Sequence, residues 1–137
     1  MNDRPIILVE DDPDDREVLA IVIKELELRS KILFFQNGKE AFDFIKQALT
    51  PPMLIVSDIN MPVMDGFELK KQINKDTILD ELKIPFVFLS TSSMNPVVKK
   101  AYDLNVQGFF QKGNNFEEVK SRLWRIIDYW HDSHLPH

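Results

Sequence analysis

Apolar residues along the chain follow two alternating patterns. Short consecutive runs span Pro5 to Glu10, Lys31 to Gln36, Met53 to Ser57, Pro85 to Ser90 and Gln107 to Gln111. Consecutive rather than alternating apolar positions predict strands buried on both faces. Between the runs lie longer amphipathic stretches. Asp12-Pro13 predicts a helix start, because Asp caps and Pro suits the first helical position. That helix runs to about Leu28. Its Val18-to-Ile23 centre is β-branched enough for a strand, but its length and the flanking Asp14-Asp15-Arg16-Glu17 and Lys24-Glu25 favour a helix. Asn37-Gly-Lys-Glu40 has capping-box spacing, with Ala41, Phe42, Phe44, Ile45 and Leu49 as the expected buried side. Pro51-Pro52 ends that helix. A third helix is expected from about Gly66 to Asn74, followed by a charged connection, Lys75 to Lys83. Asn95-Pro96 repeats the cap-plus-proline start, for a helix to about Leu104. Asn115-Phe-Glu-Glu118 opens a last helix to about His131.

Strand and helix therefore alternate five times. This predicts an α/β fold with a doubly wound parallel sheet and helices on both faces. Right-handed crossovers leave few topologies, and the flavodoxin-like order 2-1-3-4-5 leads among them. In the last helix Phe116, Val119, Leu123, Ile126, Ile127 and Trp130 trace a core stripe. Trp124 and Tyr129 lie off it, and are expected either at a partner contact or partly buried.

The chain has 137 residues, 44% hydrophobic and 28% charged, enough for one domain with a proper core. The expected unit is residues 1–131, with a tail at 132–137. With 17 basic and 22 acidic residues the net charge is −5. That argues against a nucleic-acid partner, which wants a basic face, and offers nothing to anionic lipid. No cysteine is present, which excludes disulfides, zinc-thiolate sites and cysteine nucleophiles. No apolar segment approaches a membrane span, so the expected location is cytoplasmic.

The chemistry collects at the strand ends. Ile6-Ile-Leu-Val9 runs into Glu10-Asp11-Asp12, and Leu54-Ile-Val-Ser57 runs into Asp58. In the order 2-1-3-4-5 ligands bind between strands one and three, outside their carboxyl ends. That edge would gather Glu10, Asp11 and Asp58, with Ser90-Thr91 ending the fourth strand and Lys112 ending the fifth. Packed carboxylates are unfavourable unless something positive sits among them. Carboxylates with a backbone carbonyl and water suit Mg²⁺. A hydroxyl and an ammonium can hold phosphoryl oxygens, and an aspartate can attack phosphorus. Asp12, Asp14 and Asp15 read more simply as solvated helix-start acids that complement the helix dipole. Asp65 reads as a turn and cap residue, and His131, His134 and His137 as a solvated tail.

On these residues the chain, from about Arg4 to Trp130, resembles the response-regulator receiver domain (CheY-like) of two-component signalling. The resemblance implies a phosphoacceptor signalling protein rather than a turnover enzyme. Asp58 would be the phosphoacceptor. Glu10, Asp11, Asp58 and the Asn60 carbonyl would hold Mg²⁺, with Mn²⁺ as a substitute. Met61-Pro62 and Asp65-Gly66 match the loop after the phosphoacceptor. Ser90 and Lys112 stand at the hydroxyl and lysine positions, and Ser90, Thr91 and Phe109 at the switch. Two departures are Gly113, where proline usually follows the lysine, and Phe109 in place of tyrosine. Tyr102-Asp-Leu-Asn-Val106, Lys112-Gly-Asn-Asn and the tail from Asp128 to Pro136 resemble small stand-alone regulators paired with bacterial phytochrome-type histidine kinases. The implied partner is a sensor histidine kinase or phosphotransfer protein, docking at the first helix and the loop after Lys112. The implied output is partner binding or homodimerisation through the fourth helix, fifth strand and last helix. Two other readings remain at this point. An aspartate-nucleophile phosphatase would want an acid where Asn60 stands, and a cap domain. A binding-only module would not need the acid, hydroxyl and lysine set.

Overall fold

The computed structural model describes residues 4–133. Strands β1 (Ile6–Val9), β2 (Ile32–Phe35), β3 (Leu54–Ser57), β4 (Phe86–Ser90) and β5 (Gly108–Gln111) form one parallel sheet in the order β2-β1-β3-β4-β5. Six helices connect and flank them: α1 (Pro13–Leu26), α2 (Gly38–Gln47), α3 (Gly66–Lys75), α4 (Thr77–Glu81), α5 (Asn95–Asp103) and α6 (Phe116–Asp132).

The two-residue period of each strand divides the core in two. Ile6, Leu8, Leu54, Val56, Val87 and Leu89 point to one face, where α1 and α6 cover them with Leu19, Val22, Leu123, Ile126 and Ile127. Ile7, Val9, Ile55, Phe86 and Phe88 point to the other, under α2, α3, α4 and α5 through Ile45, Leu69, Leu79 and Ala101. Burial of both faces is why the strands read as unbroken apolar runs.

Three local readings change. The connection after α3 holds a five-residue helix, α4, so the described residues hold six helices rather than five. Asp76 ends α3, and its carboxylate accepts the Leu79 N–H at 3.0 Å to start α4. Asn95 does not cap α5; it is the first helical residue, and the cap position is Met94, with no side-chain cap hydrogen bond. Leu49 is fully exposed at 102%, because α2 has already ended at Gln47. Trp124 and Tyr129 are 44% and 64% exposed, which rules out deep burial. Among the described residues no helix is long and apolar enough to cross a membrane.

Candidate functional site: an acidic cluster at the carboxyl edge of the sheet

Register brings the acids together. Val9 lies opposite Ser57, so Glu10 and Asp58 leave β1 and β3 side by side. The Asp58 N–H donates to the Val9 carbonyl at 2.9 Å, and the Glu10 N–H to the Phe35 carbonyl at 3.0 Å. One carboxylate oxygen each from Glu10, Asp11 and Asp58 lies within 4.8 Å of the others. Lys112 Nζ reaches the same group, at 2.5 Å from Glu10 Oε1, 3.1 Å from Asp15 Oδ2 and 3.6 Å from Asp58 Oδ2.

Glu10 is only 2% exposed. Burial pushes its carboxyl up to about 7, against the hydrogen bond from Lys112, while the charge of Asp58 pushes it further. Burial pulls the Lys112 ammonium down, but its hydrogen bond to Glu10 and the charges of Asp58 and Glu10 outweigh this, and the net shift is upward. Lys112 therefore stays charged, and one ammonium faces three carboxylates, with Asp11 beside them. A buried carboxylate in such company is stabilised by a further cation. The donors are all oxygen, which suits a hard divalent ion of the Mg²⁺ or Mn²⁺ kind. The residues present thus fit the metal that the sequence implied. The space beneath the cluster is only about 10 Å³, room for one water at most, so a reacting group must arrive from outside.

The loop from Asp58 to α3 is tightly built. Asp58 Oδ1 accepts the Ile59 N–H at 2.8 Å, which leaves Oδ2 turned toward Lys112. The Gly66 N–H donates to the Ile59 carbonyl at 2.8 Å. A Cβ on Gly66 would overlap the Asp58 carbonyl and stand 2.7 Å from the Phe88 ring, so only glycine fits. Val63 has φ of +68°, and the Met64 N–H closes a three-residue turn onto the Pro62 carbonyl at 2.7 Å. Left-handed backbone is costly for a β-branched residue, so this loop holds strain next to the cluster. Asn60 is exposed in the same loop. Asp65 caps α3, accepting the Glu68 N–H at 2.8 Å.

Ser90 is buried at the end of β4, and its Oγ accepts the Ser92 N–H at 3.2 Å. Its carbonyl accepts the Lys112 N–H at 2.7 Å, which ties the ends of β4 and β5. Thr91 beside it is exposed. The half-buried Phe109 ring meets Phe88 edge-on at 6.2 Å, and Phe88 meets Phe67 at 5.5 Å. Gly113 has no left-handed φ; its need is space. A Cβ there would overlap Glu118 Cβ and stand 2.8 Å from the Val119 nitrogen in the first turn of α6.

The structure thus draws Glu10, Asp11, Asp58 and Lys112 into direct proximity. It sets Ser90 on the strand next to β3, leaves Asn60 and Thr91 exposed, and packs Phe109 below. Asp15 was not read as a member of the group. It differs from Asp12, which caps α1, and from exposed Asp14. Its sequence position gives no sign of this, because the group it meets, Lys112, is 97 residues away. His131 lies within α6, while His134 and His137 fall outside the described residues.

A family model described as the response regulator receiver domain matches residues 6–123. Response regulator Rcp1 of Synechocystis sp. is 28% identical over 130 residues, spanning 91% of this chain and 87% of that protein. The probable methanogenesis regulatory protein FilR2 of Methanothrix harundinacea is 28% identical over 129 residues, spanning 91% and 82%. Among solved structures, the phosphorylated cyanobacterial phytochrome response regulator RcpA superposes with a TM-score of 0.88 at 27% identity, over 99% of this chain and 100% of that one. The Mn²⁺-bound form of Rcp1 superposes at 0.83 and 28% identity, over 98% and 99%.

Proposed function

The chain belongs to the response regulator receiver domain family, and from that premise we propose that it is a switch set by phosphorylation of Asp58. The observation that carries the reading is the meeting of three carboxylates within 4.8 Å beside a charged lysine.

In this reading Asp58 Oδ2 attacks the phosphorus of a phosphohistidine. A P–O bond forms as the P–N bond breaks, and the bonding pair returns to the imidazole nitrogen. Oδ1, held by the Ile59 N–H, fixes the carboxylate plane for that attack. Glu10, Asp11, Asp58 and the Asn60 carbonyl would hold a divalent ion, Mg²⁺ by preference, which supplies positive charge against the phosphoryl oxygens. Lys112 is already charged and within 3.6 Å of Asp58 Oδ2, so it needs only to turn from Glu10 and Asp15 toward the new oxygens. The Ser90 hydroxyl takes another oxygen, drawing in the loop with Thr91. Phe109 then repacks against Phe88, and the surface of α5, β5 and α6 changes as a shifted two-state population.

The likeness to RcpA and Rcp1 supports a phytochrome-type sensor histidine kinase as the phosphoryl donor. The output is partner binding or a homodimer through α5, β5 and α6, with exposed Tyr102 and Tyr129 available on those helices. Residues 1–131 act as a single receiver unit of the cytoplasm, without nucleic acid or membrane.

Incubation with Mg²⁺ and acetyl phosphate should label the parent protein and leave Asp58→Asn unlabelled. Equal labelling of the two would overturn the assignment. Light scattering before and after labelling tests the homodimer, which an unchanged monomer mass would exclude.

A further inference from the structure

The end of the molecule opposite Asp58 holds a polar cavity of about 260 Å³. Its floor is Lys70 on α3. The side chain is an unusual tenant: Lys70 is only 7% exposed. A lysine can bury its stem and keep its head in water. Here the head is enclosed too. Nζ donates to Asn74 Oδ1 at 2.9 Å and lies 5.8 Å from the centre of the Phe86 ring. No ion pair to Lys70 occurs among the described residues. An ammonium has three donors, so two N–H bonds have no acceptor among the described residues. Burial lowers its affinity for a proton, the charge of Asp80 opposes this, and the charge of Lys83 adds a smaller lowering.

The walls are held open by their own hydrogen bonds. Asn74 Nδ2 donates to the Leu104 carbonyl at 3.0 Å. Gln107 Oε1 accepts the Phe86 N–H at 2.7 Å, and Gln107 Nε2 donates to the Asn105 carbonyl at 3.2 Å. These amides are committed to the scaffold, which leaves Lys70 and Lys83 as cations for a ligand and Asp80 as the one acid. The lining therefore carries one net positive charge. Its apolar share comes from Ile73, Leu79 and Ile84. The unexpected helix α4 supplies Leu79 and Asp80, so the element that raises the helix count also builds this wall.

We propose that this cavity is a binding site for a small organic carboxylate. The carboxylate would take the free Lys70 donors and Lys83, and a short aliphatic part would lie on Ile73, Leu79 and Ile84. The charge balance calls for a monoanion, and charge-assisted bonds to a desolvated ammonium are the strong kind.

The test uses the full chain without divalent metal, titrated with sodium propionate and followed by backbone amide resonances, with sodium chloride and sodium phosphate as parallel arms. Saturable propionate shifts should gather at residues 70–74, 79–84 and 105–107, away from Asp58. Lys70→Met should weaken the binding about tenfold or more, the loss of a charged hydrogen bond. Lys70→Arg, which keeps the charge, should retain part of it. The dispersion of each variant's amide spectrum checks that it is folded. Shifts that chloride reproduces, preferential binding of phosphate at these residues, or equal propionate binding by Lys70→Met would each overturn the proposal. Failure of labelling at Asp58 would instead strike the receiver reading and leave this one standing.

Discussion

Lys112 has three carboxylates in reach, and the one from Asp15 separates this site from a bare acidic trio. Asp15 Oδ2 is 3.1 Å from Nζ and 41% exposed, so the pair is partly screened. Removing it should cost little stability, under about 1 kcal/mol. Its effect belongs to the switch. Without Asp15, Lys112 has one competitor fewer when a phosphoryl group arrives, and that group meets one negative charge fewer. Asp15→Ala should raise the steady-state phosphorylated fraction under limiting acetyl phosphate, measured on phosphate-affinity gels. A fraction equal to or below the parent's would rule out the competition. Gly113 next to Lys112 has a steric reason rather than a conformational one. Gly113→Ala drives a methyl into Glu118 and the start of α6. Overpacking of this sort costs about 1–3 kcal/mol, so a urea midpoint unchanged from the parent would refute the account. A sequence reader sees glycine where proline is usual and thinks of the turn. The cause lies in the approach of α6, which one chain position cannot announce. Asp15 was hidden similarly: its partner Lys112 is 97 residues away.

At the scale of elements, strand positions were legible because both sheet faces are covered, so each strand is apolar throughout. The caps Asp12, Asn37, Asp65 and Asn115 were legible too, since each side chain accepts an N–H from the first turn of its helix. α4 was not legible. It is 5 residues long, and its cap Asp76 also ends α3, so no turn residue stands between the two helices. Asn95 misled for a related reason. Asn before Pro matches a cap signal, but the first-turn amides of Val97 and Val98 reach back to the Met94 carbonyl. Asp76 gives the element-scale prediction. Its carboxylate accepts the Leu79 N–H, and Lys46 approaches at 3.5 Å. Asp76→Ala should lower stability, as loss of a helix cap does. The loss should appear as faster amide exchange in residues 77–82, while exchange in β1 and β3 keeps pace with global unfolding. Protection unchanged in 77–82 would mean that packing of Leu79 alone holds α4.

At the scale of the whole molecule, the acidic edge links folding, protons and cations. Glu10 holds its proton to about pH 7 in the folded, cation-free protein, against an ordinary value of 4.5. Between those values the folded state binds more protons than the unfolded state. Stability from this group is therefore present at low pH and is lost as pH rises through 7. A divalent ion needs the ionised carboxylates, so it competes with that proton. Mg²⁺ should consequently raise the melting temperature more at about pH 8 than at about pH 5.5. At about one hundred times its dissociation constant the ion would add about 2.7 kcal/mol. Glu10→Gln cannot ionise, so it should be less pH-dependent without metal and respond less to Mg²⁺. The sheet order, the burial of Glu10 and the chemistry of Asp58 meet in this one measurement. If the Mg²⁺ shift is the same at both pH values, Glu10 does not exchange its proton for the cation.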